Sequence, residues 1–247
     1  MDLCLVGSEM CIRDRYTMGN HSLAVDFFNT ELDNVITGIS VQDIIDASIL
    51  GATFSAQLTS QGAFCERLAG QADANLQVCY RNPINGNQQT VSGTDIKYNG
   101  LFETSVGDFD VNLGMVVMDE STSESFFNGP VVNYVGLESL PEMRYNFDIG
   151  HTLQAVPELN LALQYSYVDE VADSVDANYV ATTMVDSMGM ANLRAVYSVP
   201  GVDGLSVSLM LRNFTKEDPP LTANGSYNRA IHDNAGMSTI VGFSWDL

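Results

Sequence analysis

Two-residue alternation of apolar and polar side chains recurs along this chain and leaves few folds open. In Asp108–Met118, Phe109, Val111, Leu113 and Val117 fall on one face, opposite Asp108, Asp110, Asn112 and Gly114. Leu159, Leu161, Leu163, Tyr165 and Tyr167 oppose Asn160, Ala162, Gln164 and Ser166. Leu205, Val207, Leu209 and Leu211 oppose Ser206, Ser208, Met210 and Arg212, and Met143, Tyr145, Phe147 and Ile149 oppose Arg144, Asn146, Asp148 and Gly150. The pattern returns in Gly93–Glu103, in Asn192–Ser198 and in the terminal Val241, Phe243, Trp245 and Leu247, and less cleanly in Ser22–Ile36. A period of two belongs to strands with unlike faces. It predicts about eight strands, each near the roughly 9–11 residues that cross a bilayer at a barrel's tilt.

Connection lengths narrow this further. The links near Ser105–Gly107, Gln154–Glu158 and Val199–Gly204 are short; those over 37–91, 119–140, 169–187 and 214–235 are long. Short and long alternate strictly, one kind at each end of the strands. Outer-membrane barrels keep that rule, with short periplasmic turns and long extracellular loops. A Greek-key sandwich has no reason to. The face assignment then inverts relative to a soluble protein: apolar residues face acyl chains and polar ones line a wet or plugged lumen. Tyr145, Tyr165, Tyr167, Tyr197 and Trp245 suit the interfacial girdle.

Composition agrees. Hydrophobic residues at 45% and charged ones at 17% argue for a folded chain. With 10 Lys and Arg against 31 Asp and Glu, the net charge of -21 excludes sequence-independent nucleic-acid binding, which needs surplus cations. Mean hydropathy of +0.03 is what an alternating strand protein gives.

Residues 1–15, MDLCLVGSEMCIRDR, carry neither period nor a signal-peptide pattern. The unbroken run Cys4–Asp14 resembles the conceptual translation of a sequencing-library adapter, so 1–15 are set apart from 16–247. Cys65 and Cys79 then remain, in a polar segment without strand character; in an oxidising compartment they are expected to form a disulfide. Zinc lacks partners, because His21, His151 and His232 have no ligand spacing. Asp218 and Asp233 lie in no calcium-loop pattern and read as surface acidity; Asp119–Glu120 and Asp169–Glu170 read as rim charges. No Gly-x-Ser-x-Gly elbow or persuasive His–Asp partner appears, so no enzyme, metal or cofactor is expected.

Several segments, in order, carry a family resemblance. LMLRNFTKEDPP at Leu209–Pro220 resembles an element near the end of TonB-dependent outer-membrane receptors, through Asn213, Phe214, Asp218, Pro219 and Pro220. Asp233–Leu247 is similar to their last strand, Leu23–Ile36 to their "D-Y-F-N-I-E-I" strand and Val41–Ala47 to a short helical loop. Ser92–Asp95 and Pro141–Arg144 resemble two further elements. Met237 stands where that family commonly has Arg and Leu247 where it has Phe, which puts insertion efficiency in question.

The resemblance implies an all-β fold: an antiparallel transmembrane β-barrel, of which this chain holds the C-terminal portion, about eight strands of roughly 22. It implies a parent in the bacterial outer membrane that takes up a scarce ligand, such as a siderophore, a cobalamin-like cofactor or an oligosaccharide. Its partners would be outer-membrane lipid, the barrel-insertion machinery reading Val241, Phe243, Trp245 and Leu247, and the TonB complex acting through an N-terminal plug region. In the Cys65–Cys79 loop, Glu66, Arg67, Tyr80 and Arg81 offer charge and a stacking face for ligand, or form a solvated loop; Asn82 to Gln89 read as solvated turn formers. Two other readings stay open: a complete eight-stranded barrel with an anchoring or adhesive role, and a soluble β-rich binding protein.

Overall fold

A computed structural model describes residues 2–6, 9–33, 35–39, 41, 44–45, 56, 58–67, 77–85, 88–124, 131–137, 139–176 and 180–246, with the side chains of 2–6, 9–12, 37, 67, 77, 85 and 124 outside that description. The strands are β1 (Asp2–Val6), β2 (Glu9–Met18), β3 (His21–Leu32), β4 (Ile36–Thr37), β5 (Ala63–Arg67), β6 (Gln77–Arg81), β7 (Ile84–Asn85), β8 (Gln89–Thr104) and β9 (Gly107–Glu124). There follow β10 (Val131–Asn133), β11 (Met143–Leu153), β12 (Leu159–Val168), β13 (Val171–Val175), β14 (Ala181–Val185), β15 (Met188–Ser198), β16 (Leu205–Arg212) and β17 (Ser238–Trp245). The chain divides into two compact units.

The first unit comprises residues 1–30, 91–121 and 134–247. Its sheet runs β1-β2-β3-β8-β9-β11-β12-β15-β16-β17, each strand beside its sequence neighbour in the sheet. All eight expected strands are present. Register joins like with like: Ile149 pairs with Leu163, Leu163 with Leu193, and Leu193 with Leu211. On the other face Asp148 pairs with Asn112 and Gln164, and Gln164 with Asn192. Directly opposed residues share a face, so these rows run unbroken across strands. The apolar row is not buried. Leu161 is 39% exposed, Leu209 42% and Phe243 76%, whereas the buried hydrophobic residues described in this unit are few: Ala24, Val171, Ala172, Val185, Met188 and Ala191.

Short turns hold one end of this sheet. Gly107 has φ +131° and Gly204 +76°, values that side chains with a Cβ rarely adopt; a Cβ on Gly204 would also meet the Asp246 backbone. At the other end three longer connections interlock. Gly136 O accepts from Ala172 N at 2.7 Å, the Asp173 carboxylate accepts from Ala223 N at 2.9 Å, and Asn228 Nδ2 donates to Ser139 Oγ at 3.4 Å.

The second unit comprises residues 31–90 and 122–133. It has its own apolar cluster of Ile39, Ile44, Leu58, Ala63 and Ile84, with Cys65 packed against it. β5 pairs with β6 and β4 with β7.

Four details depart from expectation. Residues 2–6 and 9–18 form strands despite lacking a period, because an edge such as β3 offers unpaired N–H and C=O groups to any backbone. Arg13 adds an ion pair to Asp26 at 2.7 Å. The first expected strand ends at Leu32 rather than Ile36, where Asp33 begins a bend, and Ile36 pairs with Asn85 instead. The cysteine segment does have strand character, in two five-residue strands too short to show a period. Ile84 is 2% exposed in the cluster rather than part of a solvated turn.

Candidate functional site

Two assemblies gather the residues that chemistry singles out, one in each unit. In the second, Cys65 lies directly opposite Cys79 across β5 and β6 and is bonded to it, S–S 2.05 Å. Alternation places Phe64 and Glu66 on the face opposite Cys65, beside Tyr80 and Val78 of β6. The Phe64 and Tyr80 rings are tilted at 4.9 Å, and Tyr80 donates its hydroxyl to Glu66 Oε1 at 2.9 Å. That carboxylate, by hydrogen bond and by charge, holds the Tyr80 phenol above its ordinary range. Tyr80 is 42% exposed, so a polar-tipped aromatic surface stands open to solvent. Arg81 points elsewhere: its Nε donates to Ile39 O at 2.8 Å, tying the hairpin to the apolar cluster. Arg67 is in β5, and its side chain lies outside the described residues. The structure therefore brings Glu66 and Tyr80 together and assigns Arg81 to support.

The second assembly lies where β16 ends. Asn213 is 1% exposed, at φ +49°, a conformation Asn tolerates better than most residues. Its N–H donates to Asn192 Oδ1 at 2.8 Å. Its Nδ2 donates to Glu217 O at 2.8 Å and to Ala235 O at 3.3 Å, and its Oδ1 accepts from Glu217 N at 2.9 Å. One buried amide thus fastens both ends of the connection between β16 and β17. Phe214 N donates to Ala191 O at 3.0 Å, while Asp218 is exposed and Pro219 and Pro220 are half-buried. Beside the amide, Arg212 pairs with Asp233, whose Oδ1 also accepts from Ala235 N at 2.9 Å. Sequence reading singled out Asn213 and Asp233 but not this pairing, since the two partners lie on opposite ends of a long connection.

Val241, Phe243 and Trp245 of β17 are 57%, 76% and 63% exposed on the apolar face; Leu247 lies outside the described residues. Among the described residues no three His, Cys, Asp or Glu side chains gather as a metal-binding set.

No protein-family model matches this sequence, and no curated protein matches it. Solved structures do. The FrpB iron transporter from Neisseria meningitidis superposes with a TM-score of 0.61 at 10% identity, over 96% of this chain and 30% of that one. The pyoverdine outer-membrane receptor FpvA from Pseudomonas aeruginosa gives 0.57 at 14%, over 97% and 29%. The siderophore receptor PirA from Acinetobacter baumannii gives 0.58 at 10%, over 96% and 31%. What is shared at such identities is the fold, that of outer-membrane receptor barrels, and the chain spans about a third of the length of these structures.

Proposed function

We propose that this chain is the C-terminal part of the barrel of a TonB-dependent receptor in the bacterial outer membrane, whose parent takes up a scarce ligand with energy from the TonB complex. One observation carries the reading: on the shared apolar face of β12, β15, β16 and β17, Leu161, Leu193, Leu209, Val241, Phe243 and Trp245 stay exposed, the matching residues of β9 and β11 are only half-buried, and the opposite rows are largely polar. Scattered exposed Leu residues are ordinary, but a row of them across adjacent strands calls for a hydrocarbon partner. The named neighbours, an iron transporter, a pyoverdine receptor and a siderophore receptor, favour an iron chelate among the ligand classes.

In this proposal the short turns face the periplasm and the long connections face outward. The Glu66–Tyr80 surface of the disulfide hairpin meets ligand first; β17 serves the insertion machinery; plug and energy-coupling box belong to parts of the parent outside this chain. No enzymatic step is required of it. Residues 1–15 are proposed to be adapter-derived and to occupy the β3 edge chiefly by backbone pairing, with the Arg13–Asp26 ion pair added.

The gene sequence upstream of Tyr16 tests this. The proposal expects a plug and further barrel strands in frame. A signal peptide directly before Ser22 would favour the small complete barrel instead. The soluble alternative is tested by expression: it expects the chain to stay in buffer without detergent.

A further inference from the structure

The long connection between β16 and β17 contains one group whose chemistry is unmet. His232 is 5% exposed, and neither Nδ1 nor Nε2 has a hydrogen-bond partner or contact with solvent. A cavity of about 410 Å³ is lined by Tyr227, Arg229, His232 itself and Asp233 among others, but the two ring nitrogens of His232 are buried away from it. His232 is therefore not placed to bind a ligand there while the connection is closed.

The backbone around it is tightly held. His232 N donates to Asn228 O at 3.0 Å, and Asn228 reaches Ser139 of the neighbouring connection. Directly after it come Asp233, paired with Arg212, and Ala235, held by Asn213. The charged groups of the elements packed here are Arg144 of β11, which donates to Ser139 O at 3.1 Å, the Arg212–Asp233 pair, Arg229 over the Tyr227 ring at 5.5 Å, and Asp173 of β13. None supplies an acceptor to the imidazole.

We propose that His232 is an acid-sensitive latch: neutral, it lets the 213–237 connection close over its neighbours, and protonated, it forces that connection open. A buried imidazolium needs an acceptor or water and here has neither, with the Arg144 guanidinium as its charged neighbour. Burial, then Arg144, holds the imidazole below its ordinary range. The sign follows. The open form binds the proton at the ordinary value near 6.5, and the closed form only at lower pH. Closure is therefore complete above about pH 6.5 and weakens by up to tenfold per pH unit below it, until the depressed closed-state value is reached. The inference rests on this connection's packing and holds whatever ligand the parent carries.

Hydrogen–deuterium exchange on the full chain in detergent micelles, between roughly pH 8 and pH 5 and corrected for intrinsic rates, tests it. The expected result is protection of 213–237 that falls up to about tenfold per unit below about pH 6.5, with β12 and β15 unchanged. His232→Phe is expected to give a flat profile, and Arg144→Gln to leave the onset near pH 6.5 but end the fall at higher pH, so that less protection is lost in all. A flat wild-type profile, or an equal slope in His232→Phe, overturns the latch. Should His232→Phe lose protection in β15 and β16, NMR titration of the wild-type imidazole decides: a depressed value supports the latch, an ordinary one overturns it.

Discussion

Asn213 and Glu217 close a reciprocal pair of hydrogen bonds: the Asn213 amide donates to Glu217 O at 2.8 Å and accepts from Glu217 N at 2.9 Å. Because the amide is buried, its loss strands backbone groups that water reaches poorly. Asn213→Ala is expected to destabilise the β16–β17 connection by about 1–3 kcal/mol. Hydrogen exchange over 213–237 checks this; unchanged protection would contradict it.

The Cys65–Cys79 bond closes a short loop at a sequence separation of 14. Its removal by Cys65→Ser with Cys79→Ser is expected to loosen the β5–β6 hairpin by about 3 kcal/mol. Protection in 63–67 and 77–81 should fall, and β11 through β17 should be untouched. A collapse of the large sheet would mean the bond supports more than its hairpin.

Tyr80 should ionise above the ordinary phenol value near 10, because the Glu66 carboxylate disfavours a second negative charge. Neutral Tyr80, with its hydrogen bond, persists below that value and is lost as pH rises through the raised one. Ultraviolet titration, with Tyr80→Phe as the reference, reads the site. Glu66→Gln is expected to bring ionisation back down; no movement would sever the pair.

Much of this was legible in the sequence, and the failures have physical causes. β11 and β12 alternate cleanly, and β15, β16 and β17 do so but for Val196, Met210 and Ile240 among others, so each strand announces both its faces. β3 ends at Leu32 although the apolar, β-branched Val35 and Ile36 suggest that the strand runs on, because Ile36 has its partner in Asn85 of the second unit. Ile84 looked like part of a turn because its neighbours are polar; only the fold of the second unit reveals what it packs against. Strands β1 and β2 could not be foreseen, since edge pairing is made by backbone groups. Asn213 stood out as a motif residue, but its clamp joins groups far apart in sequence, and His232 gave no local signal at all.

A charge on the apolar row should be far costlier than one on the polar row. Leu193, 40% exposed at mid-strand, is paired with Leu163 and Leu211. Leu193→Arg is expected to cost about 2–4 kcal/mol in a bilayer, and Gln164→Arg on the opposite face much less. Denaturant titration of the chain refolded into vesicles measures both; equal costs would contradict the facing.

The facing itself is tested most directly by spin labels placed one at a time from Asn160 to Tyr165, with the native cysteines replaced, in lipid bilayers. Labels at 161, 163 and 165 are expected to collide with dissolved oxygen, and labels at 160, 162 and 164 with a water-soluble relaxant. Positions 161, 163 and 165 shielded from both, with 160, 162 and 164 washed by solvent, would describe a dry core and contradict the account.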